Sequence, residues 1–488
     1  MTSRELLALA VVAAPFLTVA VVVVAPRRAV ATVARGGAFA SAAAAVALAA
    51  VALGSPQHPL VERWVVVDAA AGLLVGVIGV VGLASVLVSP AYLTVPATTG
   101  LVRPEWRTRT FYALLFAFWA ILAAIPLIGN LGGAWLLVEA TTAASALLVG
   151  FGGKPRALEA AWKYLILTSL GLGIALLGIV ILAAGSVHGG LDALSWRELG
   201  NVRSGHGSTL VAYLLLLAGL ASKIGWAPVH NWLPDAHSEA PAPVSALLSA
   251  ALLPAVLLVA WRSSQALSPV IGPSTARSVL IGFGLLSLAV AVPFLWQPMA
   301  WKRLLAYSSL EHMGVIALGI GFGTPLALAG VAVHVVGHAL AKALGFYAAT
   351  PLIGHEPRAA GHPADGIGRT RTSLGVVLGI SLGALAGVPP SPLFASEVLI
   401  VAGGFAAGRP WSAGAAAALL ALGSLGLAQA LIETTTGAGR TRDRETAPGL
   451  RGVALLTCVA VPCLLGLTAA ALWLPGSAIA HALVRGIR

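Results

Sequence analysis

The chain is short of charge. Only 9% of its 488 residues are Asp, Glu, Lys or Arg, against about a quarter in soluble domains. With 58% hydrophobic residues, too little polar surface is left to face water on every side. A soluble globular fold is excluded, and lipid is the solvent for most of the sequence. Cysteine is scarce too: Cys458 and Cys463 are the two present, both in the last apolar stretch. That is too few for an iron–sulfur or zinc site, and both read as packing residues. No glycine-rich loop follows a strand, so no dinucleotide site is expected. Gly171, Gly173, Gly319 and Gly321 fall in apolar stretches, where glycine lets helices approach closely.

Long apolar runs take the place of polar surface. A membrane-spanning helix needs roughly 20 apolar residues. Such runs lie near 5-26, 37-54, 65-88, 111-129, 131-152, 162-185, 209-233, 240-260, 277-298, 303-323, 326-350, 372-407, 413-434 and 452-476. The runs are continuous rather than alternating, which excludes a β-barrel. The fold class expected is an all-α polytopic membrane protein with about 14 transmembrane helices. The first run ends at Pro26, Arg27 and Arg28 with no small-residue cleavage site before a soluble domain, and reads as a retained helix rather than a signal peptide.

The formal net charge of +12 reflects topology rather than nucleic-acid binding. With the N-terminus outside, the inside loops hold about twice as many Lys and Arg as the outside ones, as the positive-inside rule requires. Inside loops carry Arg27, Arg28, Lys302 and Arg303, together with the arginines at 358–371 and 440–444; Arg262 counts as outside. The expectation is a multi-pass protein of the cytoplasmic membrane with both termini outside and the bilayer as its main surroundings. Lys223 and Lys342 belong to neither side, because both lie within apolar runs.

A charged group at bilayer depth costs at least about 2.5–3.5 kcal/mol, so each needs a reason. Glu139 is in the fifth run, Lys223 in the seventh, Glu311 and His312 in the tenth, and Glu397 in the twelfth. His334, His338 and Lys342 fall at i, i+4 and i+8 of the eleventh, a stripe on one helix face. A lone buried histidine reads as a packed side chain, whereas three titratable groups in register read as a proton path. Glu139 and Lys223 read as an ion pair, since each stays charged in lipid only with a partner. Asp68 and Glu433 read as interface residues.

Two runs are interrupted by proline, at Pro228–Pro243 and at Pro389–Pro392. Proline removes a helix donor, and broken helices in corresponding parts of a membrane chain point to inverted repeats and an ion site. Two inverted five-helix repeats, each with a broken helix, are expected. Residues 1-100 would form an N-terminal three-helix segment, 101-270 the first repeat, 271-435 the second, and 436-488 a C-terminal helix and tail.

The stretch from Lys223 to Ser249, including Asn231-Trp-Leu-Pro-Asp-Ala-His-Ser-Glu239-Ala-Pro-Ala-Pro-Val-Ser245, resembles the antiporter-like proton-pumping subunits of respiratory complex I, multi-subunit sodium/proton antiporters and membrane-bound hydrogenases. Supporting runs are Glu159 to Leu167, Arg303 to Gly314 and His338 to Leu344; their wording is most similar to the F component of hydrogenase-4 and formate hydrogenlyase-type complexes. The likeness covers roughly residues 100–435. It implies proton transfer through Glu139, Lys223, His334, His338, Lys342 and Glu397. His230, Asp235, His237, Glu239, Glu311 and His312 would serve proton access or coupling. It further implies partner membrane subunits and a peripheral redox arm carrying iron–sulfur clusters and nickel–iron or flavin, with no cofactor or metal bound by this chain. Many relatives have a lysine in the eighth helix where this chain has Pro254, which puts the middle of the path in question. The long lateral helix of the largest complex I antiporter subunit is expected to be absent.

Three functions compete on these grounds: a proton-translocating subunit of a hydrogenase-like or NADH:quinone oxidoreductase-like complex, a subunit of a cation/proton antiporter, and a membrane subunit energising inorganic-carbon uptake. An autonomous enzyme is the least supported. His230 and His237 flank Asp235 and Glu239 as a metal cluster would, but a polar inside-facing loop accounts for all four.

Overall fold

Lipid offers no partner to backbone N–H and C=O groups, so apolar runs cross it as helices that satisfy themselves. The computed structural model describes residues 2–94, 103–187, 189–203, 205–348, 372–436 and 450–486. The loop arginines at 358–371 and 440–444 lie outside the described residues. Among the described residues, thirteen helices are long and apolar enough to cross a membrane. The expected seventh run ends as a helix at Ile224 and resumes at Trp232, and the expected twelfth is two shorter helices, Ser373–Leu385 and Pro392–Ala406, so the fourteen runs are all found and two are broken.

In chain order the elements are α1 (Ser3–Val24), α2 (Val30–Gly54), β1 (Leu60–Val61), β2 (Val66–Val67), α3 (Ala69–Leu93), α4 (Pro104–Ala124), α5 (Leu131–Val149), α6 (Pro155–Gly185), α7 (His206–Ile224), α8 (Trp232–Glu239) and α9 (Ala242–Leu247). They continue with α10 (Leu253–Ile271), α11 (Pro273–Leu295), α12 (Trp301–Phe322) and α13 (Pro325–Ala348). The last five are α14 (Thr372–Leu385), α15 (Pro392–Ala406), α16 (Pro410–Thr436), α17 (Leu450–Trp473) and α18 (Ala478–Arg485). The antiparallel pair β1–β2 is a small departure from the all-α expectation. It takes up Val66 and Val67, so the third span starts at Ala69, capped by Asp68, whose carboxylate accepts from the Ala71 N–H at 2.7 Å.

Both expected breaks are present, and they are built alike. Helix α7 ends at Gly225 with φ +79°, and α14 is followed by Gly387 with φ +64°; glycine takes this left-handed conformation without a Cβ penalty. The Trp226 N–H bonds back to the Ala221 carbonyl, and the Val388 N–H to the Gly383 carbonyl, at 3.0 and 2.9 Å. This six-to-one closure is the Schellman pattern of helix ends. Each break contains a cis X-Pro bond, Ala227–Pro228 and Pro389–Pro390. Broken backbone at membrane depth needs partners from elsewhere, and it has them. Trp232 donates from its indole to the Ser222 carbonyl at 2.6 Å, the Ala227 N–H to Ser287 Oγ at 3.2 Å, and Thr468 Oγ1 to the Pro390 carbonyl at 2.9 Å.

Helices α9 and α10 form one span, Ala242–Ile271, joined by a π-helical segment at Leu248–Leu252. Pro254 explains the widening: its ring has no N–H for the Ala250 carbonyl and would collide with it in a regular α-turn.

The most shielded helices are central. The whole apolar window of Ala242–Ile271 and 94% of that of α12 are covered by other helices, against 28% for α1 and 22% for Leu456–Gly476. Helix α13 packs on α12, α14, α15, α17 and α9, so its polar stripe is enclosed by protein. Close approach of α11 and α12 depends on glycine. A Cβ on Gly284 would lie 2.8 Å from the Gly314 carbonyl oxygen, and one on Gly314 2.9 Å from that of Gly284.

Three sequence expectations change. Arg262 is inside the protein rather than in an outer loop, 2% exposed, because α10 runs on to Ile271. Its Nη2 donates to both oxygens of Asp68 at 3.0 and 3.1 Å and its Nη1 to the Pro126 carbonyl at 2.8 Å. Asp68 is therefore a buried partner rather than an interface residue. Cys458 and Cys463 are free and exposed on the outside of the bundle; an apolar helix surface that faces lipid needs no burial in protein.

Candidate functional site

Lys223 ends α7 just before the first break, where the carbonyl end of a half-helix favours a cation. It is fully buried. Its Nζ donates to Thr142 Oγ1 at 2.8 Å and to the Tyr164 hydroxyl, and lies 4.4 Å from the centre of the Tyr164 ring. The Ser145 hydroxyl gives its proton to the Thr141 carbonyl, so the Tyr164 hydroxyl, 2.7 Å from Ser145 Oγ, donates to Ser145 and accepts from Lys223.

Glu139 sits on α5, one turn from Thr142. Its Oε1 accepts from Ser169 Oγ at 2.7 Å, and its buried Oε2 has no partner. The expected direct ion pair with Lys223 is absent among the described residues. The amine reaches one turn along α5 to hydroxyl groups, while the carboxylate turns to α6.

The stripe on α13 is as expected. His334, His338 and Lys342 are all fully buried. Lys342 Nζ donates to the Leu305 carbonyl at 2.5 Å and to the Ser308 hydroxyl. One turn along α12, Glu311 is 2% exposed with an unpartnered Oε2. It fits because residue 423 on α16 is glycine, whose absent Cβ would overlap Glu311 Oε1. His312 and His334 meet edge to edge, Nδ1 to Nε2, at 3.0 Å, and His334 Nδ1 lies 2.8 Å from Ser396 Oγ. Ser396 gives its own proton to the Leu393 carbonyl, so its Oγ accepts from His334 Nδ1–H. The Nε2 of His334 then carries a lone pair and accepts from His312 Nδ1–H. His312 Nε2 has no partner, and His338 lies against the backbone of Ser249. Glu397 closes the group: one ligand atom each from His312, His334 and Glu397 lie within 4.8 Å of one another.

The end of the bundle that carries α8 is more varied. Asp235 on α8 accepts from Arg303 at 2.6 Å and lies 3.5 Å from Lys163, which also pairs with Glu159 at 2.6 Å. All of these groups are solvent-accessible, so they form a screened surface network joining α6, α8 and α12. Lys302 donates to the Ser238 and Ala240 carbonyls at the end of α8. His237 is fully buried, stacked on Phe346 with ring centroids 5.3 Å apart. Neither of its nitrogens has a partner, and Lys302 and Lys342 are within Coulombic reach. His230 is buried in the first break, and Glu239 is half-buried at the end of α8. The four residues that mimic a metal cluster in sequence are thus spread between a surface network and the interior. Among the described residues, the group with metal-ligand spacing is His312, His334 and Glu397, drawn from three helices.

Pro254 lines an apolar cavity of about 30 Å³ with Leu74, Leu257, Ile316, Val331 and Val335, and none of the described lining residues is titratable. Ser249 in the π-helical segment and Ser309 on α12 form a polar pair, with hydroxyls 2.8 Å apart. Sequence reading misses Tyr164, Thr142, Ser169, Ser249, Ser309 and Ser396. Serine and threonine at bilayer depth are common enough in membrane helices to carry no signal alone.

Residues 128–423 match the family described as NADH:quinone oxidoreductase/Mrp antiporter, TM, over more than half of the chain. The chain belongs to this family. Among curated relatives of this antiporter-like chain, a hydrogenase-4 component F homolog of Methylacidiphilum infernorum is 33% identical over 354 residues, which is 71% of this chain and 74% of that one. NADH-quinone oxidoreductase subunit N of Desulforudis audaxviator is 31% identical over 335 residues, 64% of each chain. The fold is shared with a chain of the membrane-bound sulfane sulfur reductase, an archaeal respiratory membrane complex, at TM-score 0.83 and 19% identity, covering 99% of this chain and 97% of that one. A chain of the Mrp complex from a Dietzia species gives 0.78 at 20% identity, covering 100% of both. One of respiratory complex I from Thermus thermophilus gives 0.75 at 22%, covering 96% of this chain and 98% of that one.

Proposed function

We propose that this chain is the proton-translocating membrane subunit of a hydrogenase-like or NADH:quinone oxidoreductase-like complex. Electron transfer occurs in partner chains of a peripheral arm, on iron–sulfur clusters with nickel–iron or flavin, and this chain binds no redox group. The observation that carries the reading is the buried strip on α12, α13 and α15, from Lys342 through His338, His312 and His334 to Glu397, within the family-matched region. Groups one turn apart on α13 are about 6 Å apart along the axis, close enough for a side-chain rotation or one water to carry a proton on. A proton taken at His312 Nε2 releases Nδ1–H to His334, whose Nδ1–H is already held by Ser396. Lys223 and Glu139 form the corresponding loading group on α7 and α5, with Tyr164 and Thr142 holding the amine. His237 links the inner side to Lys342, and Ser249 with Ser309 stands where relatives place a lysine.

The matching Schellman ends at Gly225 and Gly387 support two repeats, 101-270 and 271-435, flanked by 1-100 and 436-488. Loop charge supports a cytoplasmic membrane location with both termini outside. The reading is tested by replacing Lys223 or Glu139 with Ala in the assembled complex. Coupled proton movement is expected to be abolished while electron transfer persists, and unchanged pumping refutes the role of that pair.

A second reading, a cation/proton antiporter subunit, is favoured by the full-length likeness to a chain of the Mrp complex. Purifying the native complex decides between them: co-purifying nickel–iron or flavin and iron–sulfur chains support the first reading, and their absence the second. An inorganic-carbon uptake subunit has Pro254 as its support, and wild-type proton flux in proteoliposomes counts against an inert form of it.

A further inference from the structure

We infer that His312, His334 and Glu397 form a binding site for a borderline-soft divalent cation of the Zn²⁺ class, at the crossing of α12, α13 and α15. Two imidazoles and one carboxylate with an open fourth position are a ligand set that zinc takes. The geometry is close to what the ion needs. The facing nitrogens of His312 and His334 are 3.0 Å apart, and two nitrogen ligands about 2.0–2.1 Å from a tetrahedral ion stand about 3.3 Å apart. The carboxylate oxygen, within 4.8 Å of the imidazole nitrogens, has to close in by up to about 1.5 Å on this scale. Residue 387, opposite Glu397 Oε2, is glycine, and a Cβ there would lie 3.0 Å from that oxygen, so the carboxylate is not crowded on that side.

Two further features point to a ligand. The Nδ1–H of His334 is fixed by Ser396 Oγ at 2.8 Å, which leaves Nε2 as the lone pair facing the site. Metal-bound histidines are oriented by this kind of outer hydrogen bond. His312 Nε2 is buried without a partner, and His338, against the backbone of Ser249, packs with its ring centroid 5.0 Å from that of His312. Buried polar atoms without partners call for an occupant. Ca²⁺ takes six to eight oxygen ligands and Mg²⁺ an octahedral oxygen set, which two imidazoles do not provide. On binding, the His312 Nδ1 proton shifts to the unpartnered Nε2 and the cation takes its place between the rings. No proton is lost from the pair, and the lone pair that receives protons in the relay is filled. That block rests on the proposed function; the binding does not.

The test uses the full chain purified in detergent, with Cys458 and Cys463 replaced by Ser to remove thiol ligands, stripped with chelator and equilibrated with Zn²⁺. One tightly held zinc per chain is expected. It should be lost in His334→Gln and in Glu397→Gln, which lie on different helices. Ser396→Ala should weaken it about 10- to 100-fold. Co²⁺ in place of zinc should give a tetrahedral visible spectrum in the parent and not in the variants. If one variant fails to elute as a single species, the other and His312→Gln decide. No zinc in the parent, or equal zinc in parent and variants, overturns the site. Zinc bound with undiminished proton flux in the complex leaves the site standing and overturns the relay.

Discussion

Replacing Asp68 by Asn isolates one buried charge with little else changed. Asparagine caps a helix as well as aspartate, so the bond from the Ala71 N–H is kept. The Arg262 guanidinium, 2% exposed, keeps its bond to the Pro126 carbonyl but loses its counter-ion. Breaking a buried pair from one side costs about 3–5 kcal/mol, and this guanidinium is buried enough to fall in the upper half. Arg262→Met leaves a carboxylate whose side chain is 10% exposed and still capping α3, so the lower half, about 3 kcal/mol, is expected. The double variant removes both charges and should return to within about 1–2 kcal/mol of the parent, a coupling of several kcal/mol. Titration of the purified chain with a denaturing detergent, followed by helical circular dichroism, measures all four corners of the cycle. If the two single costs add in the double variant, Arg262 and Asp68 are not the clamp described. Proton flux in folded double variant should match the parent, since the pair lies off the strip.

Gly314→Ala should destabilise by about 1–3 kcal/mol through overpacking of α11 on α12, while Gly282→Ala, which meets nothing within 4 Å, should be neutral in the same unfolding assay. Asp235→Asn should cost no more than about 1 kcal/mol, because its partners are solvent-exposed; a larger loss in a melting experiment would make that network structural. Ser249→Ala should slow proton transfer in the complex and Ser249→Thr restore it, as a hydroxyl bridge requires. An unchanged rate in the alanine variant removes this serine from the path.

The spans were legible because lipid leaves the chain little choice: an apolar run of sufficient length is a helix. The breaks were legible from proline, and the α13 stripe from spacing, since His334, His338 and Lys342 share one helix. What escaped the sequence joins different helices. The pairing of His312 with His334, and of His334 with Ser396, spans three elements. The hydroxyls that hold Lys223 come from α5 and α6, which is why an ion pair with Glu139 was expected instead. Arg262 lies beyond the apolar run because its polar neighbours end that run at 260, whereas the helix continues to Ile271 and Asp68 receives the charge. The exposed cysteines show the converse: in a membrane chain, apolar does not mean buried in protein.

The most direct measurement is the number of protons moved per electron in the assembled, membrane-reconstituted complex carrying Lys342→Ala. Lys342 begins the strip and is within Coulombic reach of His237, so its loss should lower the ratio sharply while electron transfer continues. An unchanged ratio in a complex that assembles normally would contradict proton passage along α13.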